Sequence, residues 1–313
     1  MSVDHWQDFL QSGALTSCPT TSLGTYDKGL VDGWNKFFEK ISSGSCVLDI
    51  GTGNGPILLI AKRVNQESGR NFELHGADRA AIDPPRFVRG SAGQFDGIVF
   101  HPRCPTEKLN FESESFDVVT GQYALEYGAI NKSVHEIARV MKPVACARFV
   151  VHHELSAVVD NARTAIKEAN WIIKDLKVYR RLQQFLHLER IRSKEADRAF
   201  ARLEETGHQM LQALHATPHS HVLRVTIDAV QNLLDFRRSA HPTALTEQVK
   251  AKQQSLESAV LRMKDLLEHA CNIDKIEYLE SCARRAGLEV VTRSLQHHEE
   301  NLIGWVLEWR RTG

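Results

Sequence analysis

The sequence predicts an α/β fold: a mainly parallel β-sheet covered by helices, with an all-helical insertion late in the chain. Three observations predict it. A strand pattern runs directly into glycines at alternate positions in residues 47–55. Strand and helix patterns then alternate over residues 46–151, which is typical of a sheet with helices on both faces. Residues 155–272 contain little glycine and have apolar side chains three and four positions apart, which indicates helices.

The composition indicates a globular protein with enough residues for two cores. The chain has 313 residues, of which 42% are hydrophobic and 25% are charged. Its 39 basic residues balance 39 acidic ones, so no overall field attracts a polyanion, and this argues against a nucleic-acid substrate. The sequence shows no apolar run of about 18 residues and no signal-peptide pattern. We therefore expect a cytoplasmic protein with no membrane partner.

The first 40 residues predict two short helices separated by a polar break at residues 17–25. The apolar side chains at helical spacing are Trp6, Phe9, Leu10, Leu30, Trp34, Phe37, Phe38 and Ile41. Such spacing places these side chains on one face of each helix. Packing of that face on the sheet is the simplest expectation.

The glycine turn and the acid after the next strand predict a nucleotide-type pocket. Gly51, Gly53 and Gly55 allow a tight strand-to-helix turn and a close approach of a ligand to the backbone. Asp78 follows the strand pattern of residues 72–77 and can accept hydrogen bonds from both hydroxyls of a ribose. The spacing G-x-G-x-G differs from the dinucleotide fingerprint G-x-G-x-x-G, which presents amides to a pyrophosphate.

These segments and the later ones resemble, in order, the class I S-adenosylmethionine (SAM)-dependent methyltransferases. Residues 47–55 resemble motif I, and residues 115–120 are similar to the S-F-D-V-V pattern of strand four. Residues 136–143 resemble the E-x-x-R-V-L-K-P helix and turn, and residues 278–291 resemble the last helix and strand six. The Gly304-Trp305 pair resembles a pattern of strand seven. The resemblance implies a seven-stranded Rossmann-like sheet, SAM as cofactor and S-adenosylhomocysteine as product.

The sequence departs from the family pattern at two places. Pro105 stands where the family has the acid that reads the adenine edge. Val144 and Ala145 replace two glycines of the turn before strand five, so we expect a turn that depends less on glycine.

The resemblance also implies the roles of individual residues. Asp49 and the glycines would hold the methionyl part, Asp78 the ribose, and the loop after strand four the donated methyl group. The expected cofactor-binding residues are Asp49, Gly51, Thr52, Gly53, Gly55, Asp78, Arg79, Thr106, Glu107, Gln122 and Tyr123. The N-terminal helices would form a lid over the cofactor and the substrate, with Tyr26 facing the pocket.

Histidines at predicted strand ends are the candidates for acceptor chemistry. Strands five and six are expected to be parallel with strand seven between them, so their histidines should lie roughly 10 Å apart at one edge. His153, oriented by Glu154, is the candidate general base. The alternative is that these residues are exposed strand ends without a chemical role. Methyl transfer by alignment alone needs no base. The expected substrate-side residues are Tyr26, Glu126, Tyr127, His152, Trp171 and His297.

No metal site is expected from the sequence. His208, His215, His219 and His221 lie close together in the insertion but lack the H-E-x-x-H spacing of zinc sites. The six cysteines form no C-x-x-C pair, which argues against a zinc knuckle or a disulfide framework.

Four segments are therefore predicted. Residues 1–45 form an N-terminal helical lid, 46–154 the SAM-binding core, 155–272 the helical insertion and 273–313 the C-terminal part of the core. The insertion is a substrate cap or a dimerisation arm of a homodimer, and both remain open. The leading function is SAM-dependent methyl transfer to an oxygen or nitrogen of a small molecule, for example in secondary metabolism. A protein or RNA methyltransferase that docks its substrate on the insertion and a non-catalytic scaffold are the alternatives.

Overall fold

A computed structural model describes residues 4–16, 28–237, 239 and 241–312 of the chain. The strands are β1 (Cys46–Ile50), β2 (Glu73–Ala77), β3 (Ile98–His101), β4 (Phe116–Gln122), β5 (Met141–Val151), β6 (Leu288–His298) and β7 (Asn301–Arg311). The α-helices are α1 (Asp4–Gln11), α2 (Lys28–Phe38), α3 (Pro56–Ser68), α4 (Pro84–Phe87), α5 (Ile130–Val140), α6 (Ala157–Asn170), α7 (Val178–Arg190), α8 (Ala196–Ala216), α9 (His221–Phe236), α10 (Pro242–His269) and α11 (Ile273–Arg285). A 3-10 turn covers Leu125–Tyr127, and a π-helical turn covers Trp171–Asp175.

The chain divides into two compact units. The first, called the sheet domain, comprises Met1–Asp160 and Asp265–Gly313, and the second, called the helical domain, comprises Asn161–Lys264. The two boundaries between the units lie inside α6 and α10. No helix among the described residues combines the length and the apolar character needed to cross a membrane.

The sheet has the strand order β3-β2-β1-β4-β5-β7-β6. β1 to β5 pair in parallel, and β7 is antiparallel to both β5 and β6. The prediction of a seven-stranded α/β sheet of the class I methyltransferase type is confirmed. The reversal at β7 leaves β5 and β6 pointing in the same direction, as expected from the sequence.

Strand alternation sends side chains to two separate cores of the sheet domain. On one face, Leu48 and Phe149 pack with Trp309, α5 and α11, and all three side chains are fully buried. On the other face, Val47 and Val118 pack against α2 and α3. Because both faces of the sheet are covered, the central strands have nearly continuous apolar sequences. This pattern makes them recognisable in the sequence.

The helical domain has a core of its own. Its buried side chains include Ile172, Leu176, Val178, Tyr179, Leu182, Phe185, Leu203, Met210, Leu223, Leu233 and Val249. Ile172 and Leu176 lie in and directly after the π-helical turn, and the other side chains recur at helical spacing along α7, α8, α9 and α10, so each of these helices contributes one apolar stripe.

The start of β5 differs from the expectation. The segment expected to be a turn before strand five is already part of β5, which begins at Met141. Val144 keeps a left-handed backbone with φ 60°, although its side chain is 77% exposed and β-branched. The prediction of a turn that depends less on glycine is therefore wrong: valine occupies a glycine-like conformation, and the β4–β5 register shifts nearby.

Replacing Val144 by glycine should stabilise the protein by about 1 kcal/mol. The left-handed region costs a residue with a Cβ roughly 1–2 kcal/mol, and glycine in an ordered segment costs about 0.5–1 kcal/mol in entropy, which offsets part of the gain. Equilibrium urea unfolding measures the difference. Val99 of β3 is the matched control, because it is an exposed strand valine without a left-handed backbone. Val99→Gly should destabilise, and a Val144→Gly protein that is also destabilised would contradict the strain argument.

Candidate cofactor site

One cavity of the sheet domain lies at the carboxyl ends of β1, β2 and β4. Its lining combines the glycine turn, two acidic residues, the loop after β4 and the N-terminal helix. The lining residues are Trp6, Phe9, Leu10, Leu15, Thr16, Asp49, Gly51, Thr52, Gly53, Asn54, Pro56, Ile57, Asp78, Arg79, Thr106, Glu107, Gln122, Tyr123, Ala124, Tyr127 and Gly128. Ligands of open parallel sheets bind at this end of the strands.

The glycine turn between β1 and α3 needs its glycines. Gly51 and Gly53 have φ angles of 57° and 54°, in the left-handed region. A Cβ on Gly51 would come within 2.4 Å of the Ala124 Cβ, so no other residue fits there without movement. The turn therefore brings the backbone of β1 directly against the loop after β4, at the floor of the cavity.

Asp78 is held by two backbone amides. The Gly53 amide donates to one carboxylate oxygen at 2.9 Å, and the Ala80 amide donates to the other at 2.8 Å. Burial raises the pKa of Asp78, and these two hydrogen bonds act in the opposite direction. Each carboxylate oxygen keeps a further lone pair, so the group can still accept from the two hydroxyls of a ribose.

Asp49 lies deeper in the same site. It is 1% exposed, and its carboxylate accepts a hydrogen bond from the Thr120 hydroxyl at 2.8 Å. Burial raises the pKa of Asp49 to about 6, and the neighbouring Asp78 adds to the increase. Two acids in one desolvated site favour a ligand that carries positive charge.

The end of β4 places Gln122 and Tyr123 in the cavity wall. The Gln122 side-chain oxygen accepts from the Trp34 indole at 2.5 Å, whereas its amide nitrogen is buried without a hydrogen-bond partner among the described residues. Tyr123 has a left-handed backbone, φ 54°, and its hydroxyl donates to the Ile303 carbonyl at 3.1 Å. The unpaired amide is a donor that a ligand in the cavity could satisfy.

Thr106 and Glu107 also line the cavity. The Glu107 carboxylate lies 3.6 Å from the Arg79 guanidinium and accepts from the Ala129 amide at 3.1 Å. Both contacts use the same carboxylate oxygen, Oε1, and a contact of Glu107 with adenine stays a prediction.

Helix α1 forms a wall of the cavity through Trp6, Phe9 and Leu10. In the sequence these residues appear only as the apolar face of a helix. The structure adds two hydrogen bonds between Gln7 of α1 and Ala81 of the loop after β2. The Gln7 side-chain amide donates to the Ala81 carbonyl at 3.1 Å, and the Ala81 backbone amide donates to the Gln7 side-chain oxygen at 2.7 Å.

Two further residues, Asp265 and Asn54, hold α1 and the turn after it. Asp265 accepts from the Trp6 indole at 3.1 Å and lies 2.6 Å from the His5 ring nitrogen. Asn54, from the glycine turn, donates to the carbonyls of Leu10 and Ala14. Asn54 and Asp265 are the functional candidates that sequence reasoning missed, because neither belongs to a motif with a recognisable spacing.

The expected substrate-side residues Glu126, Tyr127 and His152 lie together. The His152 ring stacks on Tyr123 at 3.9 Å and meets Tyr127 edge-on at 6.1 Å, so it lies directly behind two tyrosines of the cavity wall. The Glu126 carboxylate accepts from the His152 backbone amide at 2.9 Å. Burial raises the pKa of Glu126 to about 7 and lowers that of His152 to about 3, so the imidazole is neutral.

Seven described residues of the predicted site are not part of the cavity lining: Gly55, Glu126, His152, His153, Glu154, Trp171 and His297. His153 stacks on Trp305 at 4.7 Å, and its Nδ1 accepts from the Leu155 amide. Glu154 follows it and is half-buried, and His297 is exposed near the end of β6. Trp171 packs against the core of the helical domain. Tyr26 lies outside the described residues.

Fold and cavity together define a nucleotide-cofactor domain, and comparison with known proteins specifies its class. Residues 48–147 match the model of a family described as a methyltransferase domain. This segment is a class I SAM-dependent methyltransferase domain. No curated protein matches the chain.

Several solved structures are similar to this chain. One is a Burkholderia thailandensis 1,6-didemethyltoxoflavin-N1-methyltransferase with bound 1,6-didemethyltoxoflavin and S-adenosylhomocysteine, at 10% identity, with 92% of this chain and 80% of that chain covered and a TM-score of 0.44. A putative sarcosine dimethylglycine methyltransferase from Galdieria sulphuraria has 13% identity, 90% and 83% coverage and a TM-score of 0.37. A SAM-dependent methyltransferase from Mesorhizobium loti has 20% identity, 40% and 56% coverage and a TM-score of 0.33. The chain spans about half the length of several such methyltransferases, 44% to 57% of each.

Replacing Asp49 by asparagine should change how stability depends on pH. The pKa of Asp49 is higher in the folded protein than its ordinary value, so its contribution favours folding at low pH and is lost as the pH rises through about 6. The variant lacks this titration. Its stability relative to wild type should therefore increase by about 1–2 kcal/mol between about pH 5 and about pH 8.

Urea unfolding of both proteins at the two pH values measures this difference. The exposed Asp274 on α11 supplies a control, Asp274→Asn, whose difference from wild type should stay within about 0.5 kcal/mol at both pH values. An Asp49→Asn difference that does not vary with pH would contradict the burial argument.

Proposed function

We propose that this chain is a SAM-dependent methyltransferase that moves a methyl group to an oxygen or nitrogen atom of a small molecule. The observation that carries the proposal is the convergence of Asp49, Asp78 and the left-handed glycine turn on one cavity. The family match of residues 48–147 supports the same class of reaction.

The residues in the cavity fit this cofactor. Asp78 keeps acceptor capacity for a ribose, and the closely packed Gly51 leaves the floor free of a Cβ. Asp49 provides negative charge for the methionyl ammonium or the sulfonium. The buried Gln122 amide supplies a donor for a polar group of the ligand. When bound, SAM supplies an electrophilic methyl group on a positively charged sulfur.

The contribution of the protein to the transfer is alignment and exclusion of water. Methyl transfer is an in-line displacement, so holding acceptor, carbon and sulfur collinear can supply most of the rate enhancement. Tyr123 and Tyr127 form the wall beside the loop after β4, where the resemblance expects the methyl group. The stacked His152 and the hydrogen bond to Ile303 fix the Tyr123 ring, so that wall is rigid.

A general base is an optional addition. The role proposed for His153 with Glu154 stays a prediction, and its ring packs on Trp305. Glu126 is a second candidate: its pKa is raised to about 7, and one of its carboxylate oxygens has no hydrogen-bond partner among the described residues. A group with a pKa near working pH is suited to accept a proton from a hydroxyl or an amine.

The position of the N-terminal helix favours a small molecule as the methyl acceptor. Trp6, Phe9 and Leu10 cover the cavity, and α1 is anchored at Asp265, Ala81 and Asn54. A covered cavity with aromatic walls suits a small, partly apolar acceptor better than a base or side chain presented on a macromolecule.

A second cleft favours a second candidate, an RNA methyltransferase. Arg86, Arg89 and Arg103 line a cleft together with the exposed Asp83, and none of these arginines forms an ion pair within the part of the chain that the structure describes. Unpaired guanidinium groups attract phosphates. In a transfer assay, labelled methyl groups found in added RNA and absent from small acceptors would favour this candidate.

The replacement of Asp78 by alanine tests the cofactor assignment. Loss of charge-assisted hydrogen bonds costs roughly 1.5–3 kcal/mol, so the affinity for SAM should decrease about 10-fold to 100-fold. Calorimetry with SAM and S-adenosylhomocysteine measures the affinity. Asp83→Ala is the matched control, since Asp83 is a nearby exposed acid, and it should bind as wild type does. Equal affinity of Asp78→Ala and wild type would refute the ribose assignment, and absence of binding by wild type would favour the non-catalytic scaffold.

Replacing Asp265 by alanine should loosen the lid. The variant loses the hydrogen bond from the Trp6 indole and the contact with His5, which together hold one side of α1. S-adenosylhomocysteine should then dissociate about 10-fold faster, as expected for the loss of about 1.4 kcal/mol. Stopped-flow displacement measures the rate. Asp274→Ala removes an exposed acid of α11 and should leave the rate unchanged. An unchanged dissociation rate in Asp265→Ala would contradict a lid role for α1.

A further inference from the structure

We propose that Cys46, Glu73 and His75 form a binding site for a divalent metal ion of the zinc type. The three side chains offer one sulfur, one oxygen and one nitrogen ligand, and these atoms all lie within 4.8 Å of one another. A mixed thiolate, imidazole and carboxylate set suits zinc and the related ions cadmium and cobalt. Three protein ligands leave a fourth position for water.

Strand pairing brings the ligands together. Cys46 of β1 lies directly opposite Glu73 of β2, and His75 is two positions further along β2, on the same face of the sheet. Two paired strands therefore fix the three Cα positions before any ion binds. Such preorganisation lowers the entropy cost of assembling a site.

A tetrahedral ion needs its ligand atoms closer together than the 4.8 Å limit within which the three atoms now lie. Zinc lies about 2.0–2.3 Å from its ligands, which puts neighbouring ligand atoms roughly 3.3–3.7 Å apart. The Glu73 carboxylate is 3.0 Å from the His75 Nε2, and the Glu73 side chain is 68% exposed. The exposed Glu73 side chain can change rotamer to adjust its distance to the other two ligands.

His101 orients the histidine ligand. Its Nε2 lies 3.0 Å from the His75 Nδ1, and the two rings stack at 5.3 Å. A hydrogen bond from the His75 Nδ1–H to the His101 Nε2 would leave the His75 Nε2 lone pair for the ion, in place of its present contact with Glu73. Partners of this kind fix the tautomer of metal-bound histidines.

The surrounding charges are compatible with a cation. Lys142, whose charge acts on Cys46, donates to Asp117 at 2.8 Å, and Asp117 also accepts from the Cys46 backbone amide. Burial raises the pKa of the Cys46 thiol to about 11, so the thiol is protonated without a metal. Binding must release this proton to solvent, because a metal-bound thiol is deprotonated.

The proposed site is separate from the methyl-transfer cavity. Cys46 and Glu73 are the first residues of β1 and β2, whereas the cavity lies at the carboxyl ends of these strands. An ion there would cross-link β1 to β2 and stabilise the sheet. It is not expected to take part in methyl transfer.

Titration of the full chain with cadmium tests the proposal. Cadmium bound to a thiolate absorbs in the ultraviolet, so binding is followed directly. Wild type should bind one tight equivalent with the thiolate band, Cys46→Ser should lose the band, and His75→Ala should bind at least about 10-fold more weakly. Zinc should displace the cadmium.

Cys146→Ser is the matched control. Cys146 is also a half-buried strand cysteine whose thiol pKa is raised to about 11, but it belongs to no three-residue group of metal-binding side chains among the described residues. This variant should retain the band. The proposal is overturned if wild type shows no thiolate band, if Cys46→Ser retains it, or if Cys146→Ser loses it to the same extent.

Discussion

The desolvation of two carboxylates, the buried Asp49 and the half-buried Asp78, at the ends of adjacent strands is the constraint on which the cofactor site depends. Asp49 lies beside Gly76 in the β1–β2 register, and Asp78 follows β2 by one residue. The Thr120 hydroxyl and two backbone amides partly offset the cost of their desolvation. Burial still raises both pKa values. Because the hydrogen bonds do not fully offset the desolvation of the two carboxylates, the site lowers the stability of the ligand-free protein. A cationic ligand would stabilise these carboxylates most.

Close backbone packing makes that arrangement possible. A Cβ on Gly76 would lie 2.7 Å from a Thr52 side-chain carbon, and a Cβ on Gly51 would meet Ala124. The glycine turn can therefore lie against both β2 and the loop after β4. The left-handed Tyr123 on that loop is strained in the same region. Strain concentrated around one cavity is typical of functional sites, where the surrounding packing holds unfavourable conformations in place.

The sheet and its glycine turn could be predicted from the sequence because their signals are local. Buried parallel strands give continuous apolar runs, and the left-handed turn needs glycine. The contacts of α1 could not be predicted in this way: His5 and Asp265 are 260 positions apart, and no motif links them. His152 and His153 show a related limit. Alternation sends neighbouring side chains to opposite faces of the sheet. The sequence does not say which of these two histidines packs behind the cavity wall.

The two ends of the helical segment are held next to each other at the end of β5, which is how the sheet accommodates the segment. The backbone at the end of β5 pairs with the chain returning from α10: the Cys271 amide donates to the His152 carbonyl, and the Glu154 amide donates to the Cys271 carbonyl. The Trp305 indole donates to the same Cys271 carbonyl, so β7 holds the returning chain as well. With both ends of the segment fixed side by side, the helices between them add only a loop-closure cost, which increases slowly with length. The pairing of the returning chain with the end of β5 therefore rests on contacts within the sheet domain.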